Sequence, residues 1–226
     1  MNTIHLVVWT ITLATSTSFQ QTAAPSSDEA ARRSDIYAIY SKMIRSTDEL
    51  ILIEATTLTE RGGYGSLFRP QSASAPLSCI QPPQEDVASF DEVLKDYELR
   101  KDIAATLANE FTLDRPYQVL TSGAARTFLE DGLRSTPQVV PPGGIPPNPN
   151  PLFPKARQVF SLSDVFFNKS RTMALIYISE MTTTSDGGGS WRIFKRAEAG
   201  QWNEVTSGRP APGQPIWRTC GWAVGH

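Results

Sequence analysis

Residues 172–196, TMALIYISEMTTTSDGGGSWRIFKR, decide how the whole chain is read. Their glycine run is either a cradle for a phosphate group or the bend between two strands. A phosphate loop needs a strand before it and a helix after it, because the helix N-terminus supplies oriented N–H groups and the positive end of the dipole. Here WRIFKR follows, alternating aromatic and β-branched residues with charged ones, and the chain contains no Gly-Lys pair to serve as a Walker lysine. Asp186-Gly187 is instead a strong hairpin dipeptide, since glycine takes positive φ at no steric cost. The stretch predicts two antiparallel strands joined by a loop; a mobile flap over a ligand is the functional reading of that loop.

Working outward, the same strand–turn–strand pattern continues on both sides. RQVFSLSDVFF (157–167) alternates, NKSR is a polar turn, Gly200 precedes Trp202, and IWRTCGWAV (216–224) ends in another strand-like run. Strands separated by short turns with no helix between them predict an antiparallel meander. Upstream, residues 26–49 read as a helix. Ser26 and Glu29 have capping-box spacing, and Ile36, Ile39, Tyr40 and Met43 form one apolar stripe, widened by Tyr37 and Ile44. LILIEATT (50–57) is β-branched and too short for a helix, so it predicts a strand. Residues 58–84 read as irregular loop. A second helix is predicted over 89–111, capped by Ser89 and Glu92, with Leu94, Tyr97, Ala104, Ala108 and Phe111 buried. RPYQVLTS (115–122) supplies another strand after Pro116.

Between these halves, residues 137–154 carry eight of the seventeen prolines. No packed core forms from such a segment, so it predicts an extruded loop rather than a recognition motif. The fold expected is α+β: two helices packed on one face of a curved, mainly antiparallel sheet that ends in a C-terminal β-meander. A cone-like sheet wrapped round a helix is one compatible architecture.

The meander residues Phe167-Asn168, Thr172, Ala174-Leu175, Tyr177, Gly200 and Trp202 form a pattern similar to the end of a group of uncharacterised secreted bacterial proteins. The upstream order of helix, strand with a threonine pair (Thr56, Thr57), helix and strand resembles the same group. Two features depart from it: the hairpin has no cysteines, and the proline-rich insertion is unusual. The resemblance implies an exported α+β domain. It brings no activity and no functional residue.

Composition narrows the chemistry. Net charge is −2, with 21 basic against 23 acidic residues and no basic run, so a nucleic-acid footprint is not expected. The two histidines are His5, in the segment that reads as an export signal, and His226, the last residue, where chains usually fray, so a Ser-His-Asp or Cys-His arrangement is not expected. Cys220 with His226 is too thin for zinc, and no calcium loop is present, so neither metal nor cofactor is expected. Paired carboxylates are the remaining acid–base option, with Glu130, Asp131, Asp164 and Glu180 as candidates; each reads more simply as a solvated charge. Trp191, Trp202, Trp217 and Trp222 could line a sugar or peptide groove, but alternation favours the core for them. Arg171, Arg192, Lys195 and Arg196 read as the solvent face of the meander. The working function is a non-enzymatic exported binding or cell-envelope-associated module, the alternative a carboxylate-dependent hydrolase acting on a glycan or peptide.

Residues 1–18, MNTIHLVVWTITLATSTS, hold no charged side chain. An apolar run from Ile4 to Ala14 is followed by Ser16 and Ser18 at signal-peptidase spacing, which predicts a cleaved signal and a secreted or periplasmic domain over 19–226, off the membrane once processed. In that oxidising setting the only cysteines, Cys79 and Cys220, are expected to form a disulfide. The closed loop implies up to about 5 kcal/mol of chain-entropy stabilisation. Thiol titration of the native exported protein should therefore find no free thiol, and reduction should lower its unfolding midpoint; two titratable thiols would return both cysteines to ordinary buried residues.

Overall fold

The computed structural model describes residues 26–61, 80, 82–135, 152–205 and 221–224. The signal segment, Cys79, Cys220, Trp217, His226 and all but the last three residues of the proline-rich stretch lie outside them. The first helix, α1 (Ser27–Met43), begins where the capping spacing placed it: Ser26 Oγ accepts from the Glu29 N–H at 3.2 Å. Ile39, Tyr40, Met43 and the C-cap Ile44 are buried.

Strand β1 (Ile51–Glu54) follows, buried at every position. The next helix, α2 (Val87–Arg100), starts two residues before the predicted cap, after a 3-10 turn at Gln84–Asp86. Ser89 therefore sits inside the helix, and Glu92 accepts instead from the Lys169 N–H at 3.2 Å. The helix also ends eleven residues early. Beyond Arg100 the chain turns and runs extended past the end of β1, where Leu107 N–H donates to Ala55 O and Thr57 N–H to Ala105 O. Those tertiary bonds override a helical periodicity that continued to Phe111; Ala104 is exposed as a result, and Ala108 only half-buried.

Strand β2 (Tyr117–Leu120) leads straight into a third helix, α3 (Ser122–Ser135), which the sequence reading passed over. Its signals were present: Thr121 Oγ1 accepts from the Ala124 N–H as an N-cap, and Ala125, Phe128 and Leu129 repeat at helical spacing. The rest is the expected meander: β3 (Val159–Leu162), β4 (Phe166–Phe167), β5 (Met173–Met181), β6 (Gly187–Arg196), β7 (Trp202–Glu204) and β8 (Gly221–Val224).

The sheet runs in the order β2-β1-β3-β5-β6-β7, with β4 added to β5 and β8 to β6. Pairing is antiparallel throughout the meander, while β1 pairs in parallel with both β2 and β3, so the sheet is mixed. The helices do not share one face. Ile51, Ile53, Phe160, Leu162, Ile176 and Ile178 point to α1, forming a core with Tyr40 and Trp202. The alternate residues point the other way: Met173, Leu175, Tyr177 and Trp191 pack on α2, and Leu52, Val159 and Met181 on α3. The result is an open sheet with helices on both faces.

A bend between two strands replaces any phosphate loop, as the alternation required, but glycines 187–189 are not in it: they are the first residues of β6, and Asp186-Gly187 is not a two-residue turn. Residues 182–186 form the bend, closed by Asp186 O, which accepts from the N–H groups of Thr182 and Thr183. Gly187 opens β6 opposite Met181, and a Cβ there would come within 2.9 Å of Met181 Cα. The glycine is required by close approach of the two strands, not by a positive φ. Gly187→Ala should therefore destabilise by about 1–3 kcal/mol, whereas Gly123→Ala, on α3 with nothing within 4 Å of the new Cβ, should be neutral or stabilising by up to about 1 kcal/mol. Paired urea titrations of the two variants check both signs.

Candidate functional site

The sequence candidates do not converge. Asp164 is buried in the β3–β4 connection, where Arg100 of α2 donates to it through Nε at 2.8 Å and its other oxygen accepts from the Val165 N–H. Glu130 is paired with Arg126 one turn earlier on α3 (Nε–Oε1 2.8 Å), and Asp131 lies half-buried on the same helix. Glu180 stands on β5 on the α1 face of the sheet, between Phe160 and Gly188. Burial pushes its carboxyl above the ordinary range, against the pull of Arg192.

A carboxyl that the sequence reading left inside a strand is more deeply placed than Glu180. Glu54 ends β1, on the opposite face from Glu180, and is buried. Burial raises its pKa, while hydrogen bonds from Ser122 and Ser161 oppose the rise; Ser161 Oγ donates at 2.8 Å. Glu54, Ser161 and Ser179 form a polar row across three strands, between the apolar cluster under α2 and the one under α3. Only the carboxylate's burial beside β-branched neighbours hinted at this in the sequence, and that pattern is shared by any strand ending in Glu.

Trp191 and Trp202 are core residues, 3% and 2% exposed. Trp202 Nε1 donates to Asp35 Oδ1 of α1 at 3.1 Å. The four basic residues expected on the solvent face are all engaged in ion pairs. Arg171 pairs with Asp28 (2.8 Å) and Arg196 with Asp35 (3.3 Å) on α1, Lys195 with Asp86 at the head of α2 (2.7 Å), and Arg192 with Glu204 of β7 (3.2 Å). The first three tie the meander to α1 or to the turn before α2, and the last joins two of its own strands. Among the described residues no group of three or more His, Cys, Asp or Glu is placed to hold a metal ion, and no helix is long and apolar enough to cross a membrane.

A concave surface does exist along the outer side of α1. The helix and residues 108–114 border an open recess of ≈ 520 Å³ lined by Glu29, Arg33, Tyr37, Glu110 and Thr112. A second, of ≈ 360 Å³, is lined by Lys42, Arg45, Thr112, Leu113 and Asp114. Thr112 lines both, so the two are adjoining parts of a groove. Arg33 and Glu110 make a bidentate ion pair at its upper end. Tyr37 OH accepts from the Ala108 N–H at 2.6 Å, and Ser41 Oγ from the Thr112 N–H at 2.8 Å, so the helix holds the opposite wall. Lys42 and Asp114 are exposed and make no ion pair among the described residues. The sequence reading missed this site because residues 108–111 were assigned to a helix.

Comparison with known proteins finds no match: no family model, no curated protein and no solved structure.

The raised carboxyls set a pH dependence. Folded Glu54 and Glu180 hold their protons to higher pH than the unfolded chain does, so this contribution is fully present below the ordinary carboxylate pKa. It is lost as pH rises through the raised values. Glu54→Gln, which keeps an acceptor for Ser161, should therefore gain in stability relative to the parent as pH rises from 4 to 8. Urea unfolding across that range checks it; a difference that does not change with pH would show Glu54 titrating normally.

Proposed function

We propose that this chain is an exported, non-enzymatic binding module, secreted or periplasmic, whose ligand lies in the groove between α1 and residues 108–114. The observation that carries the reading is that groove: adjoining recesses of ≈ 520 and ≈ 360 Å³, the smaller with Lys42 on one wall and Asp114 on the other, neither of them in an ion pair among the described residues. Charges left unpaired on facing walls favour association with a complementary partner and cost little while solvated. The export half of the proposal rests on residues 1–18, whose uncharged apolar run is followed by Ser16 and Ser18 at signal-peptidase spacing. A hydrolase working through two carboxyls would need them in one concave site; Glu54 and Glu180, the two with raised pKa values, lie on opposite faces of the sheet.

Site-specific photocrosslinking in cells tests the proposal. A benzophenone side chain at position 34, in the groove, should give a discrete adduct that the same probe at position 99 of α2 does not. Arg33→Glu should reduce that adduct several-fold. Failure of position 34 to crosslink in the exported protein would remove the groove as the ligand site. Hydrolysis of a peptide or glycan lost on Glu54→Gln would establish the enzyme instead.

A further inference from the structure

Strand β2 stands at one end of the sheet and pairs with β1 alone among the described strands. Two bonds that bracket the ladder decide which of its main-chain groups face outward. Ile51 N–H donates to Pro116 O and Ala55 N–H to Leu120 O, so in this parallel pair the groups of Pro116, Gln118 and Leu120 are turned to β1. Tyr117 and Val119 are therefore turned away from it. Their two N–H and two C=O groups make no hydrogen bond among the described residues.

Open edges are commonly guarded by a charge, a bulge or a proline. Residues 116–123, PYQVLTSG, carry no charged side chain. Pro116 gives no protection, because the N–H it lacks would have pointed at β1 and not outward. Gln118 is exposed, and Tyr117 and Val119 are half-buried, packed against the core on the α1 face. Phe111 braces the Tyr117 ring, with centroids 5.4 Å apart.

The free groups are complementary to themselves. Let an antiparallel copy of β2 lie alongside, with Gln118 opposite Gln118. Tyr117 then exchanges both of its main-chain bonds with Val119 of the second copy, and Val119 does the same with Tyr117. All four groups on each chain are used. A two-fold axis at Tyr117 or Val119 would instead leave the other residue opposite a position beyond the strand. Side chains agree with the same register. On the α1 face it makes an aromatic–β-branched pair twice, and on the other face it sets two glutamine amides, each both donor and acceptor, against one another. An unrelated strand would satisfy the main chain equally but would have to bring its own match to Tyr117, Gln118 and Val119.

We infer that two copies of this chain join through antiparallel β2 strands about a two-fold axis at Gln118, so that their two sheets become one. Four residues on each side bury less than the about 1,200 Å² of a lasting complex, which makes the pairing reversible and dependent on concentration.

Sedimentation equilibrium of the exported protein from about 10 µM to about 1 mM, the range of weak contacts, should show monomer and dimer in exchange. Gln118 is exposed, so charge variants there leave the folded monomer intact. Gln118→Glu and Gln118→Lys each put like charges at the two-fold axis, and each should weaken the dimer several-fold. An equimolar mixture of the two variants should restore it as a heterodimer, an effect that loss of folding cannot mimic. A protein that stays monomeric up to about 1 mM, or a dimer indifferent to the sign of the charge at position 118, would overturn the inference. No groove ligand enters this measurement, so either result leaves the binding reading of the α1 groove as it stands.

Discussion

A strand that is apolar on both faces has to be covered twice. β5 is buried at eight of its nine positions, all but Glu180. Ala174, Ile176 and Ile178 face one way and Met173, Leu175 and Tyr177 the other. At about 1.5–3 kcal/mol for each large side chain taken from water, neither face can be left open. α1 therefore lies on one side, and α2 with α3 on the other. β3, β4 and β6 are arranged round β5 as its pairing partners, and β1 and β2 extend that core sideways. The antiparallel meander and the parallel strands are thus parts of one sheet, with its thickest packing at β5.

Apolar contact alone does not set where along the sheet each helix sits. That is done by single polar links between helix and meander. Asp35 of α1 receives Trp202 Nε1 and Arg196 together, while Arg32 of the same helix stacks over the Phe167 ring at 4.9 Å. Asp86 and Arg100 fix the two ends of α2, on Lys195 and Asp164. Most of these pairs are partly exposed on their basic side, so each adds little stability by itself. Their directional geometry is what selects one placement of helix on sheet.

The sequence made the period-two segments legible and the long-range pairings illegible. The C-terminal strands and α1 could be placed because alternation and capping are local properties, carried by residues such as Ser26 and Ile176. The parallel pairing of β1 with β2 and β3 could not, since Leu52 meets Val159 only through the tertiary fold. The same reason ended α2 early: hydrogen bonds from Leu107 and Thr57 to and from the end of β1 outweighed a helical pattern. α3 was legible and was passed over between a strong strand and a strong proline signal. The polar row at Glu54 and the groove beside α1 depend on which elements come to lie side by side, and no spacing in the chain encodes that.

The pairing order has a kinetic side. β5 and β6 are neighbours in the chain and can zip from their five-residue bend, but Glu54 and Ser161, joined across β1 and β3, are 107 positions apart. Non-local strand pairing is slow, because loop-closure entropy is lost before contacts repay it. A chain emerging from its N-terminus presents β1, with an uninterrupted row of buried residues, long before β3 exists to cover its flank. During that interval the strand is a sticky edge, vulnerable to association with other chains. That flank of β1 is covered only when β3 pairs with it, and β3 in turn rests on the C-terminal hairpin, so any delay in the arrival of the hairpin lengthens the time for which the edge stays open.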